Sequence, residues 1–360
     1  MKKIGESFKG IFGGLVFILI AIVMLWWNEG NNVKNIKTTD ELKKSYVEIN
    51  SDKIDSANEG KLVATSGKLI NEQELTDTVF NVTVKTPLLR RNVEIYQWEE
   101  ESHEEDDNTT YTYKKVWSSD LIDSSNFNKK GYDNPTTKQY DDDSYMSNDV
   151  KVGAFSLSPD QVLMLSTDGK YTSFNEEKAK ELNLKVYGEY LTNSEDINNP
   201  NIGDIRVSFT YNNSTDVSVL AVQKGNTFVD HVSKVGKRTN RIMDGIHSGE
   251  EMINVIEKEN KLIKWGLRLL GLILCISGIA ALFKPLSTLA NFVPILGGLV
   301  DTAVGIVAFV AGLALSLVVI AIAWIRFRPL LGICLLVAAL VLIFFLVKKS
   351  KSKKEVVNKE

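Results

Sequence analysis

The chain has 360 residues, with 42 lysines and arginines against 45 aspartates and glutamates and a formal net charge of −3. That balance gives no support for nucleic-acid binding, which draws on a strongly basic face. The mean hydropathy of −0.06 averages apolar ends and a charged middle, a segregation that no single soluble core needs.

The first apolar stretch covers 11–27, close to the ~20 residues that cross a bilayer as a helix. Lys2, Lys3 and Lys9 precede it, and it ends in Met24-Leu25-Trp26-Trp27 without a small-residue cleavage pattern. It reads as an uncleaved anchor and not as a signal peptide.

Residues 28–262 are polar and contain no cysteine; Cys275 and Cys334 both lie in apolar runs, where a thiol behaves as a small hydrophobe. This middle region is long enough to bury a core without covalent staples. Period-two alternation in Phe80-Asn81-Val82-Thr83-Val84, around Val93 to Trp98, and in Ile205 to Tyr211 predicts half-buried strands. Val217 to Val222 predicts another, with Asn212-Asn213-Ser214 as the turn of a hairpin. Thr38 with Glu41, Ser158 with Gln161 and Ser248 with Glu251 match the capping box that opens a helix. The helix begun after Ser248 meets no breaker before Trp265, so it is expected to continue into the second membrane crossing.

Chemistry is sparse in this region. The acidic runs 99–107, which includes His103, and 141–143 lack the glycine turn and spaced oxygens of a calcium loop and read as solvated surface. His103, His231 and His247 are scattered, and no phosphate-cradling loop, nucleophile elbow or Cys-x-x-Cys occurs. The expectation is a protein that is not an enzyme, with no catalytic residue, metal or cofactor.

Three further apolar runs, 267–283, 302–325 and 330–347, follow. The segment 285–301 between the first two of them is apolar but broken by Pro285, Pro294, Gly297 and Gly298, which suggests an interfacial or re-entrant element. Asp301 stands beside a spanning helix; at the bilayer centre a carboxylate costs roughly 2.5–3.5 kcal/mol. Interfacial depth is favoured on that ground, with an intramembrane polar role as the alternative. Gly10 with Gly14, and Ala308 with Gly312, have the small-x-x-x-small spacing of close helix contacts.

Lysines before the first helix, at Lys284 and in the tail 348–360 place both termini in the cytoplasm by the positive-inside rule. The predicted architecture is an α+β membrane protein. It has four transmembrane helices, one N-terminal (1–27) and three in 263–347, with a sheet-rich extracytoplasmic domain at 28–262. Trp26, Trp27, Trp265 and Trp324 then share the outer interface, where amphipathic rings favour the headgroup layer. Arg326 and Arg328 land on the same side against the rule, either snorkelling to phosphates or pairing with carboxylates of the domain.

Several stretches resemble one family. They are Asn28-Glu29-Gly30, Asn58-Glu59-Gly60-Lys61-Leu62-Val63, Leu89-Arg90-Arg91-Asn92-Val93-Glu94-Ile95-Tyr96-Gln97-Trp98-Glu99, Gly203 to Phe209, Trp265-Gly266-Leu267-Arg268 and Phe327-Arg328-Pro329-Leu330. Nearly end to end, the chain resembles the LUMA, or transmembrane protein 43, family. Arg326 departs from that family's turn. The resemblance implies membrane organisation and binding of other proteins, in the endoplasmic reticulum or inner nuclear membrane of a eukaryote; the plain start and the asparagine and lysine richness point instead to a bacterial cell membrane. Arg90, Arg91, Glu94, Tyr96 and Trp98 form a candidate interaction or structural motif, with ion pairs across a strand and aromatic packing. The expected function is a non-enzymatic membrane scaffold that works with the lipid bilayer and with protein partners or further copies of itself. A channel or channel regulator, and an enzyme acting on lipid or envelope substrates, are the alternatives.

Overall fold

The computed structural model describes residues 2–105, 108–290 and 297–330. They divide into two compact units, one made of 1–44, 233–237 and 253–360 and one made of 45–232 and 238–252.

The first unit is helical. Helix α1 (Lys2–Ser45) continues well beyond the apolar run, so the Thr38–Glu41 pattern opens no helix. Thr38 Oγ1 instead hydrogen-bonds Ser233 Oγ at 3.0 Å, and Glu41 accepts from the Lys234 amide at 3.0 Å. Two short helices in the second unit, α2 (Pro159–Leu163) and α3 (Glu176–Glu181), precede the remaining long ones, α4 (Gly249–Ala290) and α5 (Gly297–Phe327). Among the described residues three helices are long and apolar enough to cross a membrane. The expected fourth, 330–347, lies outside the described residues from 331 onward.

Pro285 does not end α4 as expected: the helix carries it internally and runs on to Ala290. A proline removes one amide donor and crowds the carbonyl four residues back, a loss that a long apolar helix tolerates when the rest of its backbone is satisfied. The broken segment 285–301 is therefore helical at both ends, and its residues 291–296 lie outside the described residues.

Small residues bring these helices together. A Cβ on Gly14 would lie 2.6 Å from the Gly278 carbonyl oxygen, and one on Gly312 would lie 2.7 Å from an Ile276 side-chain carbon. Ala308 is buried. Gly10, the other half of the Gly10–Gly14 pattern, faces open space. Ala21, Leu25, Cys275 and Val319 form the buried seam, while Phe12, Leu19, Ile306 and Leu317 point outward, the all-round apolar character of a membrane span.

The second unit holds two seven-stranded sheets among the described residues. The first runs in the order Val47–Glu48, Leu62–Asn71, Val150–Val152, Phe155–Ser156, Thr227–Val229, Asp216–Lys224, Arg241–Asp244. Direct pairing of Leu62–Asn71 with Asp216–Lys224 closes five of these strands into a ring. Val63, Val152, Phe155, Val219 and Phe228 pack in its core. The second sheet places Ile205–Tyr211 between Tyr190–Thr192 and the long strand Leu88–Glu105, which pairs onward with Asn108–Ser118. Ile205, Val207 and Phe209 alternate inward, as their period dictates, to meet Phe80, Val93 and Ile95.

One expected hairpin is absent. Ile205–Tyr211 and Asp216–Lys224 belong to different sheets, and the Asn212-Asn213-Ser214 link crosses between them. Asn212 is buried and anchors the crossing: its amide donates to the Leu88 carbonyl at 2.9 Å, its Nδ2 to the Ser166 carbonyl at 2.8 Å, and its own carbonyl accepts from Thr86 Oγ1 at 2.8 Å. Ser158 and Gln161 form the expected capping box at α2, and Ser248 with Glu251 does the same at α4, with bonds of 2.9 and 3.3 Å.

Candidate functional site

In the helical unit the charged residues nearest the apolar runs converge. Glu29, just past the apolar part of α1, is 1% exposed. Its Oε1 accepts from Arg268 Nε of α4 at 2.7 Å and its Oε2 from Trp324 Nε1 of α5 at 2.8 Å. Both carboxylate oxygens are thus engaged, each by a different helix. The Arg268 guanidinium also lies 4.7 Å from the Trp265 ring centroid and 5.8 Å from that of Trp324, contacts that favour a cation over an aromatic face. Asn28 Nδ2 adds a bond to the Lys264 carbonyl at 3.1 Å. Gly30 is required beside them, because a Cβ there would lie 2.8 Å from Phe327 Cζ, and Phe327 in turn meets Trp26 edge-on at 5.4 Å.

The predicted interface residues divide accordingly. Trp26, Trp27 and Trp265 are exposed, Trp27 by 58% and Trp265 by 61%, whereas Trp324 turns inward to Glu29. Arg326 sits 5.9 Å over the Phe327 ring. Arg328 Nη2 is buried and lacks a hydrogen-bond partner among the described residues. Asp301 lies in the first turns of α5 by its backbone, and its side chain is outside the described residues.

In the sheet unit, the predicted Arg90-to-Trp98 motif splits between two faces because side chains alternate along a strand. Arg91 is on the buried face with Val93 and Ile95. Its Nη1 donates to Asp77 Oδ2 at 2.5 Å and its Nε to the Asp141 carbonyl at 2.8 Å. Tyr145 OH bridges Asp77 and Asp143 at 3.0 and 2.9 Å. Burial, reinforced by those two carboxylates, pushes the Tyr145 phenol well above its ordinary pKa and keeps it a donor.

Arg90, Glu94, Tyr96 and Trp98 lie half-buried on the opposite face. Arg90 Nη2 donates to the Leu163 carbonyl at 3.2 Å, so neither arginine pairs with Glu94 as expected. Glu94 receives a two-pronged bond from Arg206 at 2.6 and 2.9 Å, its directly opposed residue in the sheet register. Arg206 lies between Trp117 and Tyr190, at 4.6 and 4.9 Å. Tyr96 contacts Trp117 at 5.0 Å, and Trp98 meets Tyr132 at 4.9 Å with Lys115 5.1 Å over its ring. In the acidic runs, Lys114 pairs with Glu99 and Glu101, while Asp142 accepts from the Val93 amide at 2.6 Å.

Glu29, Arg268, Asp77, Tyr145 and Arg206 were not singled out as site residues by sequence reasoning. For the first two a signal existed. Asn28-Glu29-Gly30, Trp265-Gly266-Leu267-Arg268 and Phe327-Arg328-Pro329-Leu330 are among the stretches on which the family resemblance rests, and the structure joins the first two through Glu29 and Arg268 and sets Phe327 of the third against Gly30.

The family model described as Transmembrane protein 43 matches residues 95–329. Transmembrane protein 43 of Homo sapiens is 29% identical over 376 residues, covering 98% of this chain and 92% of the relative. The protein of the same name from Rattus norvegicus is 29% identical over 377 residues, covering 98% and 93%. A homolog from Drosophila melanogaster is 29% identical over 366 residues, covering 94% and 95%. No solved structure matches. With a family model spanning more than half of its length and relatives aligned over nearly all of it, the chain, which carries membrane-crossing helices, belongs to the transmembrane protein 43 (LUMA) family.

Proposed function

We propose that this chain is a non-enzymatic integral membrane scaffold that holds a sheet-rich extracytoplasmic domain at a cell membrane, with both termini in the cytoplasm, and organises protein partners or further copies of itself there. The observation that carries the reading is the saturation of Glu29, whose two oxygens are bonded to donors from two other helices. A carboxylate committed in this way ties helices together and is not free to relay an ion or a proton. The Asp77–Arg91–Tyr145 cluster has the same closed character. The lysines flanking the apolar runs support the orientation.

Chemical crosslinking in native membranes tests the role. Higher-order species containing a second copy or a reproducible partner are expected, and a chain recovered only as monomer would contradict the proposal. Reporter fusions at Lys151 and at the C-terminus test the orientation, which requires the two reporters to lie in different compartments.

A further inference from the structure

Beside the Glu29 cluster the charges do not balance. Lys264 faces Arg268, Arg328 and Lys261 electrostatically, with Glu29 as the carboxylate among those neighbours. Glu29 is already occupied by Arg268. Lys261 is paired with Glu257 at 3.0 Å, and that carboxylate also takes Lys43 at 2.9 Å. Among the described residues this leaves Lys264 without a carboxylate partner; its ammonium rests 5.4 Å from the Trp265 ring. Among the same residues Arg328 keeps a buried Nη2 without a hydrogen-bond partner. An unpaired guanidinium nitrogen withdrawn from water is a costly arrangement unless an anion completes it.

Phe327, which precedes Arg328 in the chain, lines an apolar groove of about 480 Å³ with Ile22, Val23, Trp26, Trp27 and Gly30 among others, while Lys264 lines a separate polar cleft with Asp40, Lys43, Glu257 and Lys261. Phe327 joins the two features, forming part of the groove wall, carrying Arg326 over its ring and preceding Arg328 in the chain. Lys34 also lines the groove. All of these residues lie at the same end of the apolar runs, in the layer of Trp26, Trp27 and Trp265 that suits headgroup depth.

We propose that this end of the helical unit is a binding site for one anionic phospholipid, its phosphate completing Lys264 and Arg328 and one acyl chain lying in the Trp26–Trp27–Phe327 groove. The charge excess selects against a zwitterionic headgroup, which brings its own cation. The apolar groove selects against a free anion, which has no use for it. The site requires that the helices cross a membrane but not that the protein act as a scaffold, so its failure would leave that role standing.

The test uses the full chain in nanodiscs of phosphatidylcholine that contain a minor fraction of either brominated phosphatidylglycerol or brominated phosphatidylcholine, with tryptophan quenching as readout. Phosphatidylglycerol should quench more strongly at equal fraction. Removing the charges in Lys264→Gln and Arg328→Gln should lower its relative affinity by about fivefold per charge, while Arg328→Lys should retain most of the preference. Val23→Phe, which fills the groove without adding a fluorophore and leaves the cations in place, should weaken quenching without reversing the headgroup preference. Equal quenching by both lipids in the unaltered chain would overturn the proposal, as would a preference that survives both glutamine substitutions. So would the absence of quenching by either lipid, as expected if the apolar run 330–347 filled the groove. Displacement of phosphatidylglycerol by inorganic phosphate at matched ionic strength would reassign the cluster to a free anion and also overturn it.

Discussion

Glu29 in the helical unit and Asp77 in the sheet unit are both withdrawn from solvent and both held by an arginine, but Arg268 stands 239 residues from Glu29 whereas Arg91 stands 14 from Asp77. The remaining donor repeats the contrast: Trp324 is 295 residues from Glu29, and Tyr145 is 68 from Asp77. Asp77 closes a local arrangement of neighbouring strands and also caps the Phe80 amide at 2.9 Å. Glu29 joins three long helices whose apolar runs pack through small residues and a seam of Ala21, Leu25, Cys275 and Val319. In water the hydrophobic effect drives such packing, but between helices in lipid it does not, so directional bonds carry more of the specificity there.

The contrast can be broken at the helical end first. Glu29→Leu leaves Arg268 and Trp324 without their acceptor, and breaking a buried pair from one side costs roughly 3–5 kcal/mol. The expected outcome is loss of the helical unit's cooperative thermal transition in mild detergent, with the near-ultraviolet signal of Trp324 altered. Asp77→Asn is expected to cost less, about 1.5–3 kcal/mol, the range for a hydrogen bond to a charged group, and to be confined to the sheet unit in hydrogen exchange.

Alkaline titration sharpens the same comparison. The Tyr145 phenol is raised by burial and by its bonds to Asp143 and Asp77, so folding favours its protonated form. Its contribution is fully present below the unfolded-state value near ~10 and disappears as pH rises through the higher folded value. Stability of the sheet unit should therefore fall as pH rises above ~10 and level off once the folded value is passed, and Tyr145→Phe should flatten this part of the profile without a matching change in the helical unit.

Smaller effects are expected from the glycines. Gly30→Ala places a methyl group against Phe327 and should cost about 1–3 kcal/mol, the range for overpacking. Gly14→Ala should perturb the contact with Gly278, whereas Gly10→Ala, which meets open space, should change thermal stability little. Equal effects at Gly10 and Gly14 would contradict the packing described for this seam.

Features governed by short spacing were legible in the sequence. The Ile205–Tyr211 alternation gives the observed strand, and Ser158 with Pro159 and Gln161 gives the start of α2. Where the same local rules failed, a distant contact decided the outcome. Asn212-Asn213-Ser214 has turn residues, but a turn signal does not say which sheet the next strand will join, and the buried bonds of Asn212 direct it across. Thr38 and Glu41 carry a capping pattern inside a continuing helix and spend their side chains on Ser233 and Lys234. Arg91 was visible as part of a motif, yet its partner depends on which face of the strand it occupies. Glu29 lies in a recognisable stretch, but nothing in a single sequence pairs it with residues over two hundred positions away.

Glu29 and Arg268 act as one unit that fastens the long apolar helices. A double-mutant cycle with Glu29→Leu and Arg268→Met, followed by equilibrium unfolding of the full chain in mild detergent, tests it most directly. A coupling of about 2–3 kcal/mol, with the double variant hardly less stable than Glu29→Leu alone, is the result predicted for groups in one ion pair. Losses that add to within ~0.5 kcal/mol, as for independent sites, would contradict it.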